Sequence, residues 1–360
     1  MTDRDVLGQL QFAYATHEVR VVFGAGSLRN LPEELKKLGV ERVMLLATPG
    51  RAKQLDLLSA MLGERLAGAF SRAEMHVPAD VVREALNEVT RLKPDACVAL
   101  GGGSAIGLGK AVVRETGLPL VAIPTTYSGS EMTSIWGTTE GKMKRTERDP
   151  RVAARLVLYD AELTLDLPPA TSAASGMNAM AHCVEALYAA DASPASSLFA
   201  EDGIRRLARS LPIVVRAPHD MTARSNALAG AHLAGRALDM TSMGLHHKLC
   251  HVLGGSFGLP HAETHAAILP YVVAFNAPSA PAAMARVAKA LSASEAAGGL
   301  YNLSRALGTA RSLAELGLKA VDVPKAAAIA VSGSYPNPRA TSEHDVRNLL
   351  EAAFTGEPPA

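Results

Sequence analysis

The sequence predicts an α/β amino-terminal domain built on a parallel sheet, followed by an all-α domain. Up to residue 160, short apolar segments alternate with amphipathic helical segments, which is typical of a parallel sheet covered on both faces. Beyond residue 160 the strand pattern fades, and Ala, Leu and Met recur at helical spacing. A chain of 360 residues also exceeds the usual size of one hydrophobic core. We therefore expect domains at 1–160 and 161–355, and a disordered tail at 356–360.

The elements of the first domain are predicted from apolar runs that end at glycine, proline or turn residues. The predicted strands are Arg20–Phe23, Arg42–Ala47, Ala73–Val77, Asp95–Leu100, Leu120–Ile123 and Arg155–Tyr159. The predicted helices are 31–38, 52–66, 81–92 and 105–114. Alternating polar and apolar residues predict Ile135–Thr139 as one arm of a hairpin. The second domain is predicted as helices through Ala353, broken at Pro212, Pro260, Pro278 and Pro336.

Composition excludes several classes of partner. A net charge of +1 argues against a broad nucleic-acid surface. No run of eighteen apolar residues is present, so no membrane span is expected, and the amino terminus lacks a secretory pattern. The three cysteines, Cys97, Cys183 and Cys250, lie too far apart to suggest a disulfide framework. These features favour a cytoplasmic protein with a small-molecule ligand.

Two polar loops follow neighbouring predicted strands. Gly101, Gly102, Gly103 and Ser104 lie between a buried strand and a helix start, where bare backbone and unpaired N–H groups can bind a phosphate. Thr125, Thr126 and Ser128 follow the next strand. Three glycines alone would also serve as a tight turn. The two loops together favour a dinucleotide at the carboxyl edge of the sheet, although this is not the GxGxxG motif.

Histidines cluster in the second domain. Four of the eleven fall between His246 and His261, and His247 and His251 stand four apart, on one face of a helix. Asn178 and His182 repeat this spacing upstream. A helical histidine pair alone is more often structural. The combined pattern instead describes a polar site, similar to a metal site from which one carboxylate has been removed.

The order and spacing of these segments resemble the iron-dependent (group III) alcohol dehydrogenase family across nearly the whole chain. The resemblance is carried by Phe23–Gly26, Gly101–Ser104 with Lys110, Pro124–Thr126, Gly129–Glu131, His182, His247 with His251, Leu253–Gly255 and Pro260–His261. It implies the dehydroquinate synthase-like fold, a homodimer, and NAD(P) with substrate between the two domains. The implied cofactor contacts are the two polar loops, Thr48, Pro49 and Lys110.

Departures from the family pattern narrow the resemblance. The family holds its metal with an aspartate and three histidines, and the matching positions here are Asn178, His182, His247 and His261. Asparagine offers a neutral carbonyl in place of an anion, so no metal is expected. Gly107 replaces a usual aspartate, and Lys248 places a cation between the two helical histidines.

These departures resemble the maleylacetate reductase branch of the family. Further similarity lies in Tyr127–Thr133, Trp136–Gly137, Lys144–Arg145, Pro260–His265 and Asn337–Arg339. The resemblance implies reduction of the double bond of maleylacetate or chloromaleylacetate to 3-oxoadipate, in catechol and chloroaromatic catabolism, without a metal. The thiol Cys250, within the histidine segment, is interpreted as a buried apolar residue.

The chemistry of such a reduction assigns expected roles. Imidazoles and an ammonium can stabilise the enolate that develops, and cations can bind a dicarboxylate substrate. The expected catalytic residues are His247, His251, Lys248, His182, Asn178 and His261, and the expected substrate contacts are Tyr127, Lys248 and Arg145. Lys144 and Arg145 also fit a solvated hairpin. Because no aspartate follows the second strand at Thr48–Arg51, both NADH and NADPH are expected to bind.

Three alternatives stay open at this point. A metal-dependent alcohol or polyol dehydrogenase would use the Asn178 carbonyl as a ligand. A nucleotide-binding protein without catalysis would keep the loops but not the reaction. A synthase of the dehydroquinate type would be expected to retain its metal site. The preferred substituted maleylacetate, the upstream pathway and the histidine that donates the proton are not determined by the sequence.

Overall fold

A computed structural model describes residues 12–141 and 143–359, and its first half is built on a six-stranded parallel sheet. The strands are β1 (Arg20–Phe23), β2 (Val43–Ala47), β3 (Leu66–Phe70), β4 (Ala96–Gly101), β5 (Leu120–Pro124) and β8 (Leu156–Tyr159). Their order in the sheet is β1-β8-β5-β4-β2-β3, and every neighbouring pair is parallel. β2, β4 and β5 are buried along their whole length because they are apolar runs in the middle of the sheet. The predicted α/β architecture is confirmed.

Helices and one hairpin connect the strands. The helices are α1 (Leu31–Lys37), α2 (Ala52–Leu62), α3 (Ala79–Leu92) and α4 (Gly103–Thr116). β6 (Ile135–Glu140) and β7 (Met143–Arg148) form an antiparallel hairpin, of which only the first arm was predicted. The Arg114 guanidinium lies 4.1 Å from the centroid of the Trp136 ring, which fastens the hairpin to α4.

The predicted strand Ala73–Val77 is wrong. The strand is β3, and α2 ends at Leu62, not at residue 66, because Gly63 leaves the helix with φ 54°. A Cβ on Gly68 of β3 would lie 2.8 Å from Leu92 Cδ1, so this position requires a glycine. Small residues of this kind have low strand propensity, and the sequence pattern therefore does not predict β3 as a strand. His76 and Val77 adopt positive φ angles of 65° and 52°, which a strand does not allow.

The second half is helical, as predicted. Its helices are α5 (Pro169–Tyr188), α6 (Pro194–Arg216), α7 (Met221–Asp239), α8 (Leu245–Phe257), α9 (His261–Asn276), α10 (Pro281–Leu291), α11 (Ala296–Ala306), α12 (Val323–Val331) and α13 (Glu343–Thr355). The predicted break at Pro212 is wrong because α6 continues through it, with Leu211 and Val214 buried. α9 begins directly after Pro260. Among the described residues, no helix combines the length and apolar character needed to cross a membrane.

The last residues lie against the helical domain. The Tyr301 hydroxyl donates to the Gly356 carbonyl at 3.0 Å, and the Tyr271 hydroxyl donates to the Glu357 carbonyl at 2.8 Å. Ala360 lies outside the described residues. The predicted disorder of 356–360 stays a prediction.

Candidate active site

The glycine loop after β4 forms an open helix terminus. Gly102 is the N-cap of α4, no side chain caps it, and the first turn holds no acidic residue. A Cβ on Gly102 would lie 2.9 Å from Thr126 Cγ2, and Gly103 is exposed. Free N–H groups, the helix dipole and room for close approach together fit a phosphate. The predicted phosphate residues Gly101, Gly102, Gly103 and Ser104 therefore lie at a helix terminus that could bind a phosphate, and their role stays a prediction.

Several further predicted cofactor residues line the same edge of the sheet. Thr125 follows β5, and its N–H donates to the Gly101 carbonyl at 3.0 Å, which joins the two loops. Its buried Oγ1 has no hydrogen-bond partner among the described residues. Thr48 and Pro49 follow β2, the neighbour of β4, and both reach the surface. Three adjacent strands thus direct their carboxyl-end loops to one crevice.

The side chains of Lys110 and Tyr127 are buried in the protein and do not lie at the surface of those loops. Lys110 is fully buried, and its ammonium donates to Ser130 O at 2.6 Å, Thr133 Oγ1 at 2.9 Å and Ile135 O at 2.7 Å. Burial lowers the pKa of Lys110 to about 7. Tyr127 is also fully buried, and its hydroxyl accepts from Arg224 at 3.2 Å. The structure gives both side chains contacts within the protein, whereas the sequence predicted ligand contacts.

Histidines from α5, α8 and α9 meet in one cluster. His182 Nδ1 and His247 Nε2 share a hydrogen bond of 2.9 Å, and their rings stack with centroids 4.9 Å apart. His182 Nε2 lies 3.2 Å from Ser128 O, so the cluster adjoins the loop after β5. His246 Nε2 and His265 Nδ1 share a second hydrogen bond of 2.9 Å. The predicted histidine site and the predicted cofactor loop therefore touch.

The outer histidines complete the cluster. The ring of His261 lies 4.6 Å from that of His265, and the ring of His251 lies 6.5 Å from that of His261. His251 is exposed and His261 is half-buried, whereas His182 and His247 are buried. The cluster thus runs from a buried pair to an accessible pair, which gives a path between solvent and the interior.

Burial keeps the inner imidazoles neutral. Desolvation, followed by the proximity of His247, places the pKa of His182 and of His246 well below the usual histidine range. Desolvation and the charge of His261 do the same to the pKa of His265. Neutral imidazoles at pH 7 can each offer one N–H donor and one acceptor.

The residues at the family's four metal positions offer one amide and three imidazoles as possible metal ligands. Asn178 is buried, and its Oδ1 finds no hydrogen-bond partner among the described residues, so it has capacity for a polar ligand. The four donors at Asn178, His182, His247 and His261 include no anion, and two of the imidazoles are hydrogen-bonded to each other. Divalent iron prefers sites that include carboxylate charge. This donor set does not fit the family's ion.

Lys248 has a hydrogen-bond partner within the protein, and Arg145 is exposed. Lys248 follows His247 on α8, and its ammonium donates to the Ser332 carbonyl at 3.1 Å. Arg145 is exposed on β7, opposite Thr138 in the hairpin. The side chain of Lys144 lies outside the described residues. A role for Lys248 in substrate binding would require its ammonium to exchange the Ser332 carbonyl for a substrate carboxylate.

Sequence reasoning missed Glu185. This glutamate is fully buried on α5, and its Oε2 accepts from His247 Nδ1. His265 was named only as the end of the Pro260–His265 segment, although it contacts both His246 and His261. The signal for Glu185 was present in the sequence, because it lies three residues after His182 and so on the same helix face.

Two family models and several known proteins match this chain over most of its length. The family "Iron-containing alcohol dehydrogenase" matches residues 18–161, and "Fe-containing alcohol dehydrogenase family, C-terminal" matches residues 172–354. The maleylacetate reductase of Pseudomonas sp. (strain P51) is 48% identical over 340 residues, which cover 94% of this chain and 97% of that protein. The maleylacetate reductase of Sphingobium indicum is 49% identical over 350 residues, covering 97% and 99%.

Solved structures show the same relationship. The crystal structure of maleylacetate reductase from Rhizobium sp. strain MTP-10005 superposes with a TM-score of 0.94 at 44% identity. It covers 98% of this chain and 100% of that one. The chain therefore belongs to the iron-containing alcohol dehydrogenase family, and within that family it is similar to maleylacetate reductases.

Proposed function

We propose that this chain is a maleylacetate reductase that uses NADH or NADPH and requires no metal. The observation that carries the proposal is the histidine cluster at the family's metal positions, where Asn178 replaces the aspartate and His182 adjoins the loop after β5. The family's metal is held by an aspartate and three histidines, and here Asn178 stands at the aspartate position. The similarity to maleylacetate reductases supplies the substrate class.

The reaction adds a hydride and a proton across a carbon–carbon double bond conjugated to a ketone. The nicotinamide cofactor supplies the hydride when it is bound at the cradle. Negative charge then develops on the ketone oxygen, where an imidazole N–H can stabilise it. The adjacent carbon receives the proton, and the product is 3-oxoadipate. Chloromaleylacetate has the same conjugated group, so we propose it as a further substrate.

The accessible end of the histidine cluster suits these two tasks. His251 is exposed and His261 is half-buried, so a substrate in the cleft could reach both rings. His182 and His247 lie behind them in the buried pair. We assign the proton donor to one of the four imidazoles, and Asn178 to binding a substrate oxygen through its amide NH₂ group, which can donate.

Carboxylate binding is the proposed role of Lys248. The Lys248→Ala variant is expected to raise KM for maleylacetate roughly 10-fold or more, because a charged hydrogen bond typically contributes about 1.5–3 kcal/mol. Its kcat should change less than its KM. Steady-state kinetics measure both constants, with Lys325→Ala, an exposed lysine on α12, as the matched control. An unchanged KM in Lys248→Ala would remove this residue from the substrate site and leave Arg145 as the candidate.

A homodimer and a cytoplasmic location complete the proposal. β1 is an edge strand of the sheet, and Val21 and Phe23 are exposed on it. An exposed apolar edge strand favours pairing with another chain. Light scattering tests the dimer, and Phe23→Glu is expected to weaken it. The three cysteines are free thiols in the structure, which supports a reducing compartment.

The assay that tests the proposed function follows NADH oxidation with maleylacetate and identifies the product by mass spectrometry. Formation of 3-oxoadipate supports the proposal. Oxidation of simple alcohols with no turnover of maleylacetate would favour the metal-dependent alcohol dehydrogenase instead. That second candidate rests on the buried, unpaired Asn178 Oδ1, which could also bind an ion.

A further inference from the structure

Glu185 is a buried carboxylate that joins two helices at the histidine cluster. It lies on α5 with no exposed surface, and burying an ionised carboxylate is costly unless donors surround it. Four donors do so here. Oε1 accepts from His246 N at 2.9 Å, Gly244 N at 3.2 Å and the Tyr188 hydroxyl at 3.3 Å, while Oε2 accepts from His247 Nδ1.

The first oxygen of Glu185 caps helix α8. The N-cap residue of α8 is Gly244, and no side chain of its own caps the helix. Glu185 Oε1 takes two of the N–H groups that every helix leaves unpaired at its start, and its charge complements the helix dipole. A Cβ on Gly244 would lie 3.2 Å from Glu185 Oε1 and 2.8 Å from the Pro336 carbonyl. The close packing holds the carboxylate in one place.

The second oxygen of Glu185 faces the third residue of the same helix. A carboxylate oxygen only accepts, so His247 must carry a proton on Nδ1. His247 Nε2 then points at His182 Nδ1, 2.9 Å away, in the interior of the site. The hydrogen bond made by one ring nitrogen decides what the other ring nitrogen can do.

We propose that Glu185 is the positioning residue of this site: one carboxylate caps α8 through Oε1 and, through Oε2, holds His247 with its Nδ1 protonated and its Nε2 directed at His182. The two roles coincide because His247 lies in the first turn of the helix that Glu185 caps. The catalytic part of the inference rests on the proposed function, whereas the protonated nitrogen of His247 does not.

Glutamine at position 185 separates the two roles. The Glu185→Gln side chain has nearly the same shape, and its amide oxygen can still accept from Gly244 N and His246 N. Its NH₂ group must then face His247 Nδ1, which has to become an acceptor. The ring proton that faces Glu185 in the wild-type protein is therefore expected on Nε2 in this variant. Glu185→Ala, by contrast, loses both the cap and the partner of His247.

The direct test is ¹⁵N NMR of histidine-labelled full-length protein at neutral pH, with the His247 signals assigned from a His247→Gln variant. The expected result is a protonated Nδ1 in the wild-type protein and an unprotonated Nδ1 in Glu185→Gln. An unprotonated Nδ1 in the wild-type protein, or no change in Glu185→Gln, would overturn the proposal. This readout does not depend on any substrate.

Kinetics and thermal unfolding provide the second readout. In Glu185→Gln, kcat for maleylacetate is expected to fall roughly 10- to 100-fold, as is usual when a carboxylate partner of a functional histidine is lost. KM should change less than about threefold, and Tm should fall less than in Glu185→Ala. The control is Tyr188→Phe, which removes a hydroxyl from the same carboxylate without touching His247. An equal loss of kcat in Tyr188→Phe would reduce Glu185 to a packing role and contradict the proposal.

The two hypotheses fail in different ways. If the chain reduces no maleylacetate but the Nδ1 proton follows the identity of residue 185, the proposed function fails and the inference on Glu185 stands. If turnover is normal in Glu185→Gln while the NMR signals shift, the positioning of His247 has no catalytic effect and the kinetic part of the inference is wrong.

Discussion

At the scale of single residues, packing explains why position 107 is a glycine and not the aspartate that is usual in the family. A Cβ at this position would lie 2.8 Å from Val77 Cγ2. Val77 belongs to the turn that replaces the predicted third strand, and it has a φ of 52°. An aspartate at position 107 would therefore collide with this turn unless the turn moved. Packing of the 73–78 segment accounts for the glycine.

Lys110 offers a test at the same scale. Its ammonium joins α4 to Ser130, Thr133 and Ile135, the first residue of β6, through four oxygen acceptors. Lys110→Met keeps the length of the side chain but leaves these acceptors unpaired, so the free energy of unfolding is expected to fall by about 3 kcal/mol. Urea denaturation measures the change, with the exposed Lys53→Met as the control. If the free energy of unfolding fell by less than about 1 kcal/mol and NADH affinity fell strongly, Lys110 would instead be a residue that contacts the cofactor.

At the scale of elements, the carboxyl ends of β2, β4 and β5 carry the cofactor argument. Their loops converge because the three strands are neighbours and parallel. The loop after β4 is the proposed phosphate site. The loop after β2 begins at Thr48 and Pro49 and holds no carboxylate that would repel a 2′-phosphate. We therefore expect both NADH and NADPH to be used.

Introducing the missing carboxylate tests that explanation. Thr48→Asp is expected to lower kcat/KM for NADPH roughly 10- to 100-fold, because the aspartate would repel the 2′-phosphate. The value for NADH should change only a few-fold, since an aspartate can accept from the ribose hydroxyls. Thr48→Asn is the uncharged control. A wild-type preference above about a hundredfold for either cofactor, about 2.7 kcal/mol, would contradict the starting assumption.

The elements also show what the sequence could reveal. Strands such as β2, β4 and β5 are continuous apolar runs, and glycine, proline or threonine marks their ends. β3, with the sequence Leu-Ala-Gly-Ala-Phe, has no such signal, because its small residues are required by the close approach of Leu92. Pro212 is tolerated inside α6, where packing of the helix outweighs one lost hydrogen bond.

The sequence predicts which residues form the site better than it predicts what those residues contact. Helical spacing alone predicts that His247 shares a helix face with His251, and Asn178 with His182. Spacing could not show that Lys110 turns into the protein, or that Lys248 reaches the Ser332 carbonyl. Such contacts depend on how α8, α12 and the sheet pack, which local sequence patterns do not encode.

At the scale of the whole molecule, buried histidines couple stability to pH. The pKa of His182, His246 and His265 lies well below the usual histidine range, and desolvation lowers the pKa of His232 to about 4. The unfolded chain, with ordinary pKa values near 6.5, then binds more protons than the folded protein in mildly acidic solution. Stability is complete above about pH 6.5 and declines as the pH falls.

The size of the decline is testable. Between pH 7.5 and 5.5, each such histidine should cost about 1 kcal/mol of unfolding free energy. Urea denaturation at the two pH values measures the total. In His232→Gln, the difference in unfolding free energy between the two pH values should be smaller by the contribution of one histidine, since the variant removes a single neutral imidazole. Equal stability at the two pH values would show that the buried histidines titrate normally in the folded state.

The most direct measurement for the central claim follows NADH oxidation with maleylacetate before and after exhaustive treatment with EDTA. Turnover is expected to survive the chelator, because Asn178 replaces the aspartate with which the family holds its metal. Asn178→Asp is the matched variant, and it should bind a divalent ion more tightly than the wild-type protein in calorimetric titration. Wild-type turnover that disappears with EDTA and returns with a divalent ion would contradict the account and make Asn178 a metal ligand.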